Sequence, residues 1–204
     1  LTVNPINDAP VLSNIEDQSI DEDTSLTYSL VASDIDGDDL EYSASVDGNA
    51  TVDVTNNLLE ITPTSDYNGS ILVTVNVSDG DETDSDTFTL TVNPVNDAPI
   101  LSNIEDQSID EDTSLTYSLV ASDIDGDDLT FVASVDGNAS ALITNNLLEI
   151  IPTSDYNGSI LVTVNVSDGE YTDSDTFTLT VNPINDAPIL SNIEDQSIDE
   201  DTSL

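Results

Sequence analysis

Two stretches of the chain, 33–40 and 122–129, read SDIDGDDL, and their carboxylates recur at every second position beside a glycine. Alternating acids of this kind can wrap several oxygens around one hard cation, while the Asp-Gly step lets the loop fold back on itself. The rest of the composition sharpens that reading, because 43 of the 204 residues are Asp or Glu and none is Lys, Arg or His. No side-chain ammonium, guanidinium or imidazole is available to neutralise a carboxylate. Where several acids converge, like charges disfavour ionisation unless a metal ion sits between them. Calcium suits these donors: it takes oxygen ligands at ~2.3–2.6 Å in irregular geometry, from carboxylate, Asn and main-chain carbonyl alike. Magnesium demands stricter octahedral order, and zinc prefers the His and Cys that this chain lacks. The string matches half of an EF-hand loop but has neither the flanking helices nor the terminal Glu, so it is not one.

The same composition argues against several functions. Nucleophilic triads have no His or Lys to draw on, and acid–base work at neutral pH would fall to carboxylates or Tyr alone. A glycosidase-like carboxylate pair needs a lined cleft, and nothing in a chain with 4% aromatic residues suggests one. The expectation is therefore a protein that is not an enzyme. A net charge of −43 repels arrays of phosphates, so nucleic acid and membrane insertion are not expected. No apolar stretch approaches the ~20 residues that span a bilayer. The absence of Cys removes disulfides and leaves the redox compartment open. Apolar residues at 37%, alternating with Ser and Thr, mark a folding chain.

Those loops recur because the whole sequence does. NPINDAP at 4–10 returns as NPVNDAP at 93–99 and NPINDAP at 182–188, a period of 89 residues. Between the first two periods 77 of 89 positions are identical. Residues 1–9 read as the last strand and linker of a preceding repeat, 10–98 and 99–187 as two repeats, and 188–204 as the start of a following one. The expectation is a window onto a longer, nearly uniform array.

The elements that must position the loops are short strands. Within the first period, strand-like runs fall at 11–15, 25–33, 40–46, 51–55, 58–63, 70–78 and 83–92, and no segment has a helical period. Ile71, Val73, Val75 and Val77 alternate with polar residues, as do Phe88, Leu90 and Val92, so one face is core and the other wet. Asp36-Gly37, Asp47-Gly48, Asn56-Asn57, Asn68-Gly69 and Asp79-Gly80 separate the runs as turns. Seven strands so arranged predict an all-β chain of tandem antiparallel sandwiches placed end to end. Tyr67 and Tyr156 are expected to anchor a carbonyl beside the turn, and Phe88 and Phe177 to fill the core. Asp81, Glu82, Asp84 and Asp86 read as charge at the start of a strand that is solvated or loosely attracts ions.

NDAP at the repeat boundary, DED at 21–23, SDYNG at 65–69, VSDG at 77–80 and the SDIDGDDL loop occur together. This set resembles cadherin-like repeats, and more closely the tandem cadherin-like modules of bacterial surface adhesins, over the entire chain. The resemblance implies an Ig/cadherin-like sandwich and calcium held at the joint between modules. It maps Glu22 onto the family's early glutamate and Asp66 onto the first acid of its DRE motif, with Asn68 in place of that motif's glutamate. Asn96 and Asp97 match the linker ligands, although Pro94 stands where the first linker aspartate is usual. Asp123 and Asp125 match the DxD pair, and Asp168 the later single aspartate. One period earlier the corresponding residues are Asn7, Asp8, Asp34, Asp36 and Asp79; one period later they are Glu111, Asp155, Asn157, Asn185 and Asp186.

The function expected is that of an extracellular or cell-surface structural repeat, a calcium-stiffened rod or fibre whose partners are calcium ions and adjacent copies of the same module. Uniform spacing also predicts lateral self-association into fibres. Two other readings stay open. An acidic, salt-adapted spacer would hold its charge diffusely, and a carbohydrate-binding module would need aromatic platforms that a chain without Trp scarcely offers.

Overall fold

The computed structural model describes residues 6–201; the parts of the flanking partial repeats at 1–5 and 202–204 lie outside the described residues. The chain divides into two compact units, Leu1–Asp97 and Ala98–Leu204. In the first unit the elements are β1 (Val11–Leu12), β2 (Gln18–Asp21), β3 (Leu26–Ser29), β4 (Ala32–Ser33), β5 (Glu41–Val46), β6 (Ala50–Thr55), β7 (Leu58–Pro63), β8 (Gly69–Ser78) and β9 (Thr83–Asn93). The second repeats them as β10 (Ile100–Leu101), β11 (Gln107–Asp110), β12 (Leu115–Ser118), β13 (Ala121–Ser122), β14 (Thr130–Val135), β15 (Ala139–Thr144), β16 (Leu147–Pro152), β17 (Gly158–Ser167) and β18 (Thr172–Asn182).

Each unit is the expected Ig/cadherin-like sandwich. A four-stranded sheet, β2-β9-β8-β5, faces a three-stranded one, β3-β7-β6, while β1 pairs with β4; the second unit has the same orders. The seven strand positions read from the sequence are present, the first shortened and the second divided, and one further strand, β2, falls outside them. The run at 11–15 shortens to β1, the chain then crosses to the other sheet as β2, and the run at 25–33 breaks into β3 and β4. The crossing makes one pairing parallel: β2 runs alongside β9 with Gln18 opposite Leu90 and Asp21 opposite Asn93.

The core follows from the alternation. Ile71, Val73, Val75 and Val77 on β8 and Phe88, Leu90 and Val92 on β9 face inward against Leu59 and Ile61 of β7, with Leu12, Ile15 and Leu30 closing the edges. Burying each such side chain contributes ~1.5–3 kcal/mol relative to leaving it in water. The Tyr28 ring packs 6.5 Å from that of Phe88, and Tyr117 lies 6.4 Å from Phe177.

Side-chain carboxylates carry the chain across the gap between sheets. Asp84 accepts the Leu12 N–H at 2.8 Å, Asp86 the Ile15 N–H at 2.7 Å, and Asp17 the Thr89 N–H at 2.7 Å. Asp173, Asp175 and Asp106 make the same bonds in the second unit. The reading of Asp84 and Asp86 as solvated charge is thereby corrected. Both are half-buried acceptors for amides that the crossing strand cannot pair in a ladder.

Tyr67 and Tyr156 take the predicted anchoring role, their hydroxyls donating to the carbonyls of Ser70 and Ser159 at 3.1 and 3.0 Å. The approach requires glycine beside it. Gly69 has φ +140°, and a Cβ there would lie 2.9 Å from the Tyr67 hydroxyl oxygen. Gly48, at φ +149°, has open space around the same position. Replacing Gly69 and Gly158 together by Ala is expected to lower stability by ~1–3 kcal/mol per unit in urea unfolding, more than the same change at Gly48 and Gly137. Equal losses at the two pairs of sites would mean that the Tyr contact contributes nothing.

Candidate metal centre

The SDIDGDDL loop folds around one carboxylate. Asp34 follows directly from β4, and its Oδ1 accepts the N–H groups of Asp36, Gly37 and Asp38 at 2.8, 2.9 and 3.3 Å. Its Oδ2 is buried and has no hydrogen-bond partner. Carboxylate oxygens of Asp34, Asp36 and Asp38 lie within 4.8 Å of one another. Asn7 and Asp8 reach the same place: the Asn7 amide donates to Asp79 Oδ2 at 3.0 Å, and the Asp8 N–H donates to Asp36 Oδ2 at 2.8 Å. Asp79 Oδ1 takes the N–H groups of Asp81 and Glu82 at 2.8 and 2.7 Å. Asn7, Asp8, Asp34, Asp36 and Asp79 are thus brought together. In the second unit Asp123 gathers the N–H groups of Asp125, Gly126 and Asp127, its Oδ2 is likewise orphaned, and Asp168 caps Glu170 and Tyr171.

A second cluster forms where β2 ends. Glu22 is only 4% exposed; its N–H donates to the Asn93 carbonyl, its Oε1 accepts the Val95 N–H, and its Oε2 has no partner. The next residue, Asp23, lies with Asp66 and Asp97 such that their carboxylate oxygens fall within 4.8 Å of one another. Asn96 donates its side-chain amide to the Asp97 carbonyl at 3.2 Å, whereas Asn68 is exposed. In the second unit Asp112, Asp155 and Asp186 form the matching group, and Asn185 bonds the Asp186 carbonyl. Glu111 is again 4% exposed and accepts the Ile184 N–H, and here Asn157 reaches its Oε2 at 3.4 Å.

Oxygens within 4.8 Å suit the donor set of a hard divalent cation, since ligands at ~2.3–2.6 Å from a shared ion lie no farther than about 5 Å apart. The orphaned oxygens of Glu22, Asp34 and Asp123 supply negative charge that no protein donor meets. The residues fit calcium on both counts. Four participants escaped the sequence reading. Asp38 and Asp127 are the next alternate acids of SDIDGDDL, and that spacing could have found them. Asp23 and Asp112 sit beside Glu22 and Glu111 in the DED strings, but only their left-handed backbone, φ 58° and 60°, turns them into the cluster.

Electrostatics distinguish the positions. Asp38 is raised above the ordinary carboxylate value by desolvation first, then by the Asp34, Asp36, Asp79 and Asp81 charges. Asp127 is raised by desolvation and by Asp123, Asp125, Asp168 and Asp128. Asp79 is lowered, chiefly by the Glu82 N–H, then by the Asn7 amide and the Asp81 N–H.

Among the described residues no helix is long and apolar enough to cross a membrane. The sequence model of the bacterial Ig domain family matches residues 7–93 and 96–182. Chitinase A of Pseudoalteromonas piscicida is 30% identical over 160 residues, covering 74% of this chain and 19% of that protein, so the chain spans about a fifth of its length. Human protocadherin-24 EC1-2 superposes over 88% of this chain and 100% of its own with a TM-score of 0.52 and 19% identity. An endo-fucoidan hydrolase of glycoside hydrolase family 107 covers 90% of this chain and 30% of its own, at 22% identity and a TM-score of 0.39.

The opposite shifts make a titration test. Because Asp79 is lowered on folding, its contribution to stability is present above its unfolded value and is lost as pH falls through the folded one. The raised Asp38 opposes folding once ionised, and that opposition disappears on acidification. Carboxyl NMR in calcium-free buffer is expected to show Asp38 titrating above Asp79, and added calcium to draw Asp38 downward. An Asp38 midpoint indifferent to calcium would remove it from the ion's surroundings.

Proposed function

The chain belongs to the bacterial Ig domain family, and from that premise we propose that it is an extracellular structural repeat in which calcium fixes successive modules. Its role is to connect or project other parts of a surface or secreted protein, not to catalyse. The observation that carries the reading is the gathering of carboxylates, three at a time within 4.8 Å and at two places in each unit, in a chain with no cationic side chain. Like charges held this close disfavour ionisation, and a bound cation would relieve that repulsion.

Glu22, Asp66, Asn96 and Asp97 belong to the end of one module and its linker, and Asp123, Asp125 and Asp168 to the loops of the next. With Asn68 as a further oxygen donor, these residues would hold calcium at the joint. When bound, the ion supplies positive charge and a demand for several oxygens at once. Without it the carboxylates repel and the modules swivel; with it their angle is fixed. Extracellular calcium modules bind at ~10⁻⁴–10⁻³ M. An ion present at 100 times its dissociation constant adds about 2.7 kcal/mol of stability. Like modules at constant spacing also give calcium a means of bridging neighbouring chains into fibres. The partial match to a chitinase accords with such modules serving as non-catalytic segments of longer proteins.

Calcium titration of the chelated protein, followed by small-angle scattering and thermal unfolding, tests the reading. Saturable stiffening and a rise in Tm are expected, with no equal response to sodium at matched ionic strength. Replacing Asp123 and Asp125 by Asn keeps the side-chain acceptor of Asp123 for the loop amides, so the sandwich is expected to fold while the calcium-dependent stiffening disappears. A response to sodium as large as that to calcium would instead identify an acidic spacer that only needs its charge screened.

A further inference from the structure

We propose that the open edge of the second unit is a self-association surface, on which β15 pairs antiparallel with β15 of a second copy of this chain and no ion bridges the two. The proposal is independent of the calcium reading above, since it concerns direct contact between chains at one strand edge.

The two units point to this edge by where they differ. Twelve of the 89 positions change between them, and eight of those, at 130–132, 140–143 and 151, lie on β14, β15 and β16. The changes share a chemical direction. Glu41 becomes Thr130 and Asp53 becomes Leu142, so the two edge strands lose the single charge that each carries in the first unit and read TFVASV and ASALIT. Ser43 becomes Val132 and Thr62 becomes Ile151. Leu142, Val132 and Ile151 nonetheless stand 60%, 59% and 48% exposed. Relief of the repulsion between Asp53 and Glu60 accounts for the loss of a carboxylate, which a serine would achieve as well. It does not account for three apolar side chains placed in water.

The register gathers them along an unpaired backbone. β15 is the outermost strand of its sheet, in the order β12-β16-β15, so one side of its amides and carbonyls has no ladder partner within the unit. Ser140 lies opposite Ile151, Leu142 opposite Glu149 and Thr144 opposite Leu147. Leu142 therefore has Ile151 and Leu147 as diagonal neighbours on the outer face, an apolar strip beside the edge. Charge on an edge strand blocks pairing with another chain; β6 keeps that block in Asp53, and β15 lacks it.

Charge also selects the occupant. A cationic partner is better served by the first unit, where the same edge retains Glu41 and Asp53. A second copy brings a further net charge of −43, and it meets least repulsion where both surfaces are uncharged. With β15 against β15, the two β16 strands that carry Glu149 lie three strand spacings apart, about 14 Å. That exceeds the Debye length of about 8 Å at physiological salt. A two-fold contact needs only one patch that complements itself. Built on one six-residue strand per copy, it falls at the small end of protein interfaces, so the pairing is weak and concentration-dependent.

Sedimentation velocity of the full chain, in chelator at about 0.15 M NaCl and up to millimolar protein, is expected to show a monomer–dimer equilibrium. Leu142→Asp with Ile151→Thr gives the second unit the residues with which the first already folds. That variant is expected to keep its Tm and to dimerise at least about tenfold more weakly. The reverse change, Asp53→Leu with Thr62→Ile, supplies a second open edge and is expected to extend dimers into longer oligomers. Hydrogen exchange along β15 is expected to slow as protein concentration rises. A chain that stays monomeric throughout would overturn the proposal and leave the edge to a strand of another protein. Dimers that form equally well after Leu142→Asp with Ile151→Thr would also overturn it. So would dimers that require calcium, which would instead assign lateral contact to ion bridging.

Discussion

Every carboxylate in this protein faces the same restriction: no side chain of opposite charge exists to meet it. Only three kinds of partner remain, namely water, an N–H or O–H donor, and a metal ion. Much of the structure is an assignment of acids among those partners. Main-chain amides do what Lys and Arg do elsewhere, as in the loop where Asp34 collects three N–H groups on one oxygen. Charge-assisted hydrogen bonds of this sort are stronger than neutral ones, so a backbone rich in unpaired amides is a natural host for surplus negative charge.

The sheet crossing shows the same economy in a structural role. A chain that leaves β4 and joins β9 exposes amides that no ladder can use. Asp84 and Asp86 meet them with one oxygen and bond the N–H of the following residue with the other. Those acids are consumed by the fold and have little left for an ion. Glu22, Asp34 and Asp123 are different, because each is oriented by one oxygen and keeps the other buried and unmatched. Orientation without neutralisation is what separates a candidate ligand from a staple.

This distinction sets how much could be read from the sequence. Alternation along β8 and β9 and the Asp-Gly turns specified the sandwich, since both are local signals with fixed periods. The crossing was illegible because β2, QSID, is too short and polar to stand out, and its pairing with β9 joins residues about seventy positions apart. The loop acids Asp34 and Asp36 were readable from spacing alone, and Glu22 only through resemblance. Asp23 could not be found by either route, because its place in the cluster depends on a backbone angle.

The two units provide an internal comparison of which acids are tied to the fold. In the second repeat Glu41, Asp53 and Glu82 give way to Thr130, Leu142 and Tyr171. Asp53 stands directly opposite Glu60 across the β6–β7 pair, an unfavourable juxtaposition of like charges that Leu142 opposite Glu149 removes. None of these three accepts a main-chain N–H through its carboxylate in the described hydrogen bonds, whereas the carboxylates of Asp17, Glu22, Asp23, Asp34, Asp36, Asp47, Asp79, Asp84 and Asp86 all do. Every one of those nine has an identical residue 89 positions later. Inward changes on the same strand offset one another in volume, Val52 shrinking to Ala141 while Val54 grows to Ile143. The three acids lost in the second repeat are thus ones whose carboxylates hold no main-chain amide, while every acid that does hold one is retained.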